Sequence, residues 1–165
     1  MKIKHVDIRK GNKRDLPNVL ELIKELASYE NAIEEVTLTV RQLEEDGFCK
    51  HPWYWFLVAE KESEIIGLSF YFIRYSTWKG KFLFLEDFVI KEEYRRQGIG
   101  AALFEATIKV CHDDQLNGMI WQVLDWNAPA IEFYKKYEAH ISGEWLNGKL
   151  TKKQIQDITS HQNQL

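Results

Sequence analysis

A mixed α/β domain is predicted by three features of the sequence. Runs rich in aromatic and β-branched residues alternate with segments whose apolar residues recur every three or four positions. Two of the strand-like runs, 53–60 and 64–75, flank a short polar break and read as a hairpin. A third, 81–90, leads through a glycine-bearing turn into an amphipathic helix. The resulting order, β-α-α-β-β-β-α-β-α-β, suits a sheet sandwiched by helices.

Residues 2–9 alternate and form the first expected strand. Leu16, Val19, Leu20, Ile23, Leu26 and Ala27 then make one apolar helix face over 14–29, with Asp15 and Pro17 marking its start. Thr39 is a hydroxyl cap for a short helix containing Glu44 and Glu45 and ending at Gly47. The unbroken apolar character of 81–90 predicts burial on both faces. A helix is expected over 98–112, a strand over 119–124, a helix over 128–137 and a last strand over 139–146. Thr151 caps a terminal helical turn or two over 152–159. Neither a repeat nor a low-complexity linker interrupts residues 1–165, so one domain is expected.

With 45% apolar and 28% charged residues, the chain has ordinary globular composition. Its net charge of -3 lacks the basic excess of a general nucleic-acid binder. It has no run of roughly 18 apolar residues to span a membrane and no signal-peptide core at its start, which predicts a cytoplasmic protein. Cys49 and Cys111 stand far apart and read as reduced thiols. The five histidines fall in no metal-ligating pattern, so no metal is expected.

The most informative segment is FVIKEEYRRQGIGA, residues 88–101. A strand ends at Ile90, and Arg95, Arg96, Gln97, Gly98, Ile99 and Gly100 lead into a helix. Glycines allow close approach of backbone to a ligand, and a helix start offers unpaired N–H groups and partial positive charge. A diphosphate fits such a turn, with the arginines adding charge-assisted bonds. Neither the Walker pattern nor the dinucleotide fingerprint is present, because no GK[ST] and no third glycine follow.

Strand, R-x-x-G-x-G and helix together resemble the acyl-CoA pyrophosphate motif of the GCN5-related N-acetyltransferases (GNAT). The likeness extends along the chain through LIKELASYE, DGF, HPWY, YSTWKGK, FLEDFVI, YRRQGIG and VLDWNAPAIEFYKK. These segments resemble the diamine acetyltransferase subfamily, which comprises the spermidine/spermine and thialysine acetyltransferases. The resemblance implies a homodimer of single α/β domains. It also implies a mixed, mostly antiparallel sheet that splays after its fourth strand to admit the pantetheine arm of acetyl-CoA. The implied reaction is direct acetyl transfer to a primary amine of a small cationic molecule. An amino acid, an aminoglycoside or a protein amine remains open as acceptor, as does a non-catalytic CoA-binding module.

The resemblance assigns roles residue by residue. Tyr134 matches the family tyrosine that serves as general acid near the CoA sulfur; a phenol of ordinary pKa about 10 keeps its proton at neutral pH. Glu86 matches the position that helps deprotonate the amine, and Asp87 one that faces a distal ammonium. Phe88, Val89 and Ile90 are expected to pair with the pantetheine through backbone groups. Arg95, Arg96, Gln97, Gly98, Ile99, Gly100 and Ala101 wrap the pyrophosphate. Asn127, Ala128, Pro129 and Ala130 form a second CoA segment, in which Asn127 equally serves as a helix cap. Tyr29 and Glu30 border the amine site across the dimer, and Trp78, Ile120, Trp121, Gln122 and Glu144 match acceptor-side positions. Ser76 stands where polyamine-acetylating members carry an acid, so YSTWKG looks more like the thialysine branch. Tyr137-Glu138 also replaces the family's usual step at the helix end.

Overall fold

The computed structural model describes residues 5–162, grouped into two compact units, residues 1–122 and 123–165. The first unit is built on five strands in spatial order β1-β2-β3-β4-β5. These are β1 (Val6–Lys10), β2 (Trp55–Lys61), β3 (Glu64–Ser76), β4 (Gly80–Ile90) and β5 (Met119–Trp121). The first four pair antiparallel, and β5 joins β4 in parallel. Residues 2–4 of the expected first strand lie outside the described residues.

Helix α1 (Leu16–Tyr29) buries Leu16, Val19, Leu20 and Leu22, the face its spacing predicts. Asp15 does not cap it. Asn12 caps a preceding turn, and the buried Asp15 carboxylate accepts from Asn12 N and takes two bonds from Arg9, at 2.7 and 2.8 Å. A buried carboxylate is tolerable because a guanidinium meets it. Helix α2 (Val40–Gly47) starts at Thr39 as expected, but its reciprocal cap bond comes from Gln42 rather than from the glutamates.

Alternation assigns the sheet's two faces. Val58, Leu68, Phe70 and Val89 pack with α1 and Leu43 of α2, where Tyr54 stacks on Phe70 with ring centres 4.3 Å apart. On the other face lies α3 (Ile99–Asp113). Ser69 and Thr107 share a 2.7 Å hydrogen bond there, and Phe104 meets Phe88 edge-on. Both hydroxyls are fully buried, so this bond satisfies two groups that would otherwise be costly to desolvate.

Three expectations are corrected. Strand β4 is not buried on both faces: Leu83 and Leu85 are buried, while Phe82 and Phe84 are half-buried and Glu86 is exposed. Strand β5 stops at Trp121, and Leu124 is exposed. Residues 139–146 form no strand. Their apolar members Ile141, Trp145 and Leu146 do not alternate and are exposed, and a strand without a paired neighbour cannot hold itself. The second unit instead contains α4 (Ala128–Lys135) and α5 (Lys152–Gln162), the latter opened by a reciprocal Thr151–Gln154 cap.

Candidate active site

Strand β4 holds most of the expected acceptor and pantetheine positions, and its neighbours change along its length. Its pairing with β5 runs only from Leu83–Met119 to Leu85–Trp121. From Glu86 to Ile90 the β5-side edge has no strand partner among the described residues. This is the expected splay, and it leaves the backbone of Phe88, Val89 and Ile90 an edge on which an extended amide chain can pair.

The opening coincides with a bulge. On β3, Tyr71 pairs with Leu85 and Phe70 with Asp87, so Glu86 is the extra residue between them. Bulges re-aim side chains and raise local twist. Glu86 is exposed, whereas Asp87 falls in register with Phe70, on the face covered by α1. Glu30 caps the end of that helix. Burial, then the charges of Glu86 and Glu30, push the Asp87 carboxyl up to about 7. Burial also raises Glu30. Three carboxylates therefore interact within one chain, and a cation among them would relieve their mutual repulsion.

The turn after β4 holds two left-handed residues, Arg96 with φ 59° and Gly98 with φ 84°. Gly98 is the N-cap of α3, and the first intrahelical bond runs from Ala102 N to Gly98 O. The N–H groups of Ile99, Gly100 and Ala101 thus sit in the helix's first turn without i→i−4 acceptors. Gly100 has room for a Cβ, which would meet only Ile90 Cγ1 at 3.7 Å. Arg95 braces the turn: its Nε donates to Ile90 O at 2.9 Å, and its guanidinium lies 5.7 Å from the Tyr29 ring centre. Arg96 and Gln97 are exposed. Helix N–H donors, a positive helix end and exposed Arg96 make a donor set that fits a diphosphate, so the residues present suit the CoA handle.

A bulky side chain at Gly98 is expected to weaken CoA binding tenfold or more, a loss of about 1.4 kcal/mol. Valine there combines a strained positive φ with bulk at the ligand face. Gly100→Ala separates the two effects, since its Cβ fits without strain. Calorimetric titration with CoA measures both variants; wild-type affinity in both would remove the turn from the site.

The remaining predicted residues divide by unit. In the first, Ile120 pairs with Phe84 and Trp121 with Leu85, beside the bulge, while Gln122 lies past the strand end. Trp78 is not brought to Glu86. It is 86% exposed at the tip of the β3–β4 hairpin, about 20 Å along the strand. Ser76 has a local task there, accepting from the N–H groups of Trp78 and Lys79. In the second unit, Asn127 caps α4 by accepting from Ala130 N at 3.3 Å, with Ala128 and Pro129 in the first turn. Tyr134 is buried on that helix, its ring edge-on to Phe133. Glu144 is exposed in the irregular segment. Sequence reading missed the bulge and the coupling of Glu30 to Asp87, because neither register nor through-space charge is written in local spacing. Among the described residues no group of three or more His, Cys, Asp or Glu has the arrangement of a metal site.

A glycine turn that fits a diphosphate, an opened sheet edge and carboxylates at the opening are the features of a group-transfer enzyme's site. Residues 17–138 match the acetyltransferase (GNAT) family, and the chain belongs to it. It is 39% identical over 138 residues to the thialysine N-epsilon-acetyltransferase of Bos taurus, covering 79% of this chain and 81% of that one. It is 34% identical to the spermidine/spermine N(1)-acetyltransferase-like protein 1 of Homo sapiens, over 79% of this chain and 20% of that protein. An aminoglycoside acetyltransferase from an uncultured soil metagenomic sample shares the fold. Its TM-score is 0.74 at 18% identity, over 89% of this chain and 96% of that one.

Proposed function

We propose that the protein acetylates a primary amine of a small cationic molecule, lysine-like or a short diamine, with acetyl-CoA as donor. The observation that carries this reading is the trio Glu30, Glu86 and Asp87 at the opening of the sheet. An ammonium bound there would meet opposite charge. The relatives named for thialysine at 37–39% identity point to the same acceptor class. Acetyl-CoA supplies an activated thioester acetyl group.

The chain's own residues have four tasks. First-turn N–H groups of α3 and Arg96 hold the diphosphate, and the free edge of β4 orients the arm beyond it. Asp87 and Glu30 attract the acceptor's charge. Glu86 takes a proton from the ammonium, directly or through water, since only the free amine has a lone pair. Tyr134 holds a phenolic proton to give up at Oη as transfer completes.

Thiol release with thialysine, lysine, putrescine, spermidine, spermine and an aminoglycoside tests the acceptor. Glu30, Glu86 and Asp87 lie together rather than spread along the length of a long polyamine, and relatives at 37–39% identity are named for the lysine-like amine thialysine. Short or lysine-like amines should therefore match or exceed spermine in kcat/KM. A spermine preference of roughly 100-fold, near 3 kcal/mol, contradicts it.

The protein is further proposed to be a cytoplasmic homodimer. Trp145, Leu146, Leu150, Ile155 and Ile158 are exposed in the chain alone. An isolated helix as short as α5 is marginal in water, so a second copy covering these residues would supply the missing packing. Light scattering should give twice the chain mass at micromolar concentration; a monomer would overturn the assembly. No helix among the described residues is long and apolar enough to cross a membrane.

A further inference from the structure

A cavity of about 270 Å³ opens at the other end of α3, lined in part by Lys10, Trp55, Tyr71, Ile73, Asp113 and Asp114. The length of α3, roughly 22 Å, separates that end from the diphosphate turn. Tyr71 lies on the α3 face, while Tyr54 and Phe56 bring the lining round to the face packed on α1; Asp87 is not among the lining residues. We propose that this cavity is a second ligand site, for a zwitterion of amino-acid size with an aromatic or branched apolar body.

Four features support this assignment. Tyr71 is only 5% exposed, yet its hydroxyl makes no hydrogen bond among the described residues. No sealed side-chain polar atom lacks a partner among them, so the hydroxyl is not fully sealed, and Tyr71 lines the cavity. Burial and the charge of Asp114 push this phenol up to about 12, so it stays a donor. The rings of Trp55 and Tyr71 stack at 6.5 Å and offer an apolar wall with Ile73. Lys109 already holds Asp113 at 2.7 and 2.9 Å. The other charges at the rim are Asp114, with no side-chain bond among the described residues, and Lys10, which forms no ion pair among them and lies within electrostatic reach of Asp113. Asp114 also ends α3, where the helix dipole favours a cation. An ammonium at Asp114 and a carboxylate at Lys10 and the Tyr71 hydroxyl would satisfy all three. The volume lies just below the range of about 300–1,000 Å³ typical for drug-sized ligands, which suits a smaller molecule.

The test is an NMR titration of the full-length labelled protein, read at the amides of Ile73 and Val110. The probes are L-phenylalanine, phenylalaninamide without the carboxylate, and hydrocinnamate without the ammonium. L-Phenylalanine should saturate both signals at millimolar concentration, and each truncated probe should bind about five- to tenfold more weakly. Asp114→Asn should weaken L-phenylalanine but not hydrocinnamate, and Lys10→Gln should weaken it but not phenylalaninamide. Asp87→Asn should leave all three unchanged, and Asp114→Asn should acetylate amines at the wild-type basal rate. Absence of saturable shifts up to roughly 10 mM, or equal affinity for the three probes, overturns the proposal.

Discussion

Replacing Tyr134 with phenylalanine is expected to lower kcat by roughly 10²-fold or more, the scale of general-acid catalysis. The substitution keeps the buried ring on α4 and its edge-on contact with Phe133, so fold and CoA affinity should hardly change. The defect should persist from pH 6 to 10, because it concerns the leaving group. Glu86→Gln should also lower kcat, but that loss should shrink at high pH, where the amine deprotonates unaided. Two pH–rate profiles separate the roles. A Tyr134→Phe enzyme turning over at the wild-type rate across that range would remove the tyrosine from catalysis.

Asp87→Asn is the second large effect, visible in stability as well as activity. The folded protein holds the Asp87 proton up to a pKa of about 7, well above the ordinary carboxyl value, through burial and the charges of Glu86 and Glu30. Between the unfolded and folded values the native state binds the proton that the unfolded state has lost. Stability therefore falls as pH rises from about 4 to about 7, by roughly 2–4 kcal/mol, and is level above that range. Asparagine removes this slope, so the variant should gain stability at pH 8 and nothing at pH 4. Urea midpoints across this range measure it; identical slopes in the two proteins would show that Asp87 is not the group responsible. An ammonium acceptor should bind better above pH 7, where Asp87 is ionised, and Asp87→Asn should flatten that rise.

The glycine-bearing turn after β4 was legible because its pattern is local. Arg96, Gly98 and Gly100 follow a strand and open a helix within a dozen residues, and only a tight, glycine-bearing turn joins such elements. Helix α1 was legible for a related reason, since its apolar spacing matches one helical face. The strand expected over 139–146 failed because composition was read without a partner; exposed Trp145 and Leu146 mark apolar residues that one chain alone does not cover. Trp78 was grouped with the acceptor residues by likeness, whereas the hairpin register carries it far along the strand from Glu86.

Local pattern alone determined the α/β class, the helix caps at Thr39 and Thr151, the glycine-bearing turn after β4 and the adjacency of Glu86 to Asp87. These depend on neighbours within one turn or one strand, so periodicity and residue chemistry suffice. Tertiary structure decided the rest. The β3–β4 register makes Glu86 a bulge, the end of the β5 pairing opens the sheet there, and the packing of α1 brings Glu30 to Asp87. Each depends on which distant segment lies alongside. That choice is made by cooperative burial of the whole core, which no window of sequence contains.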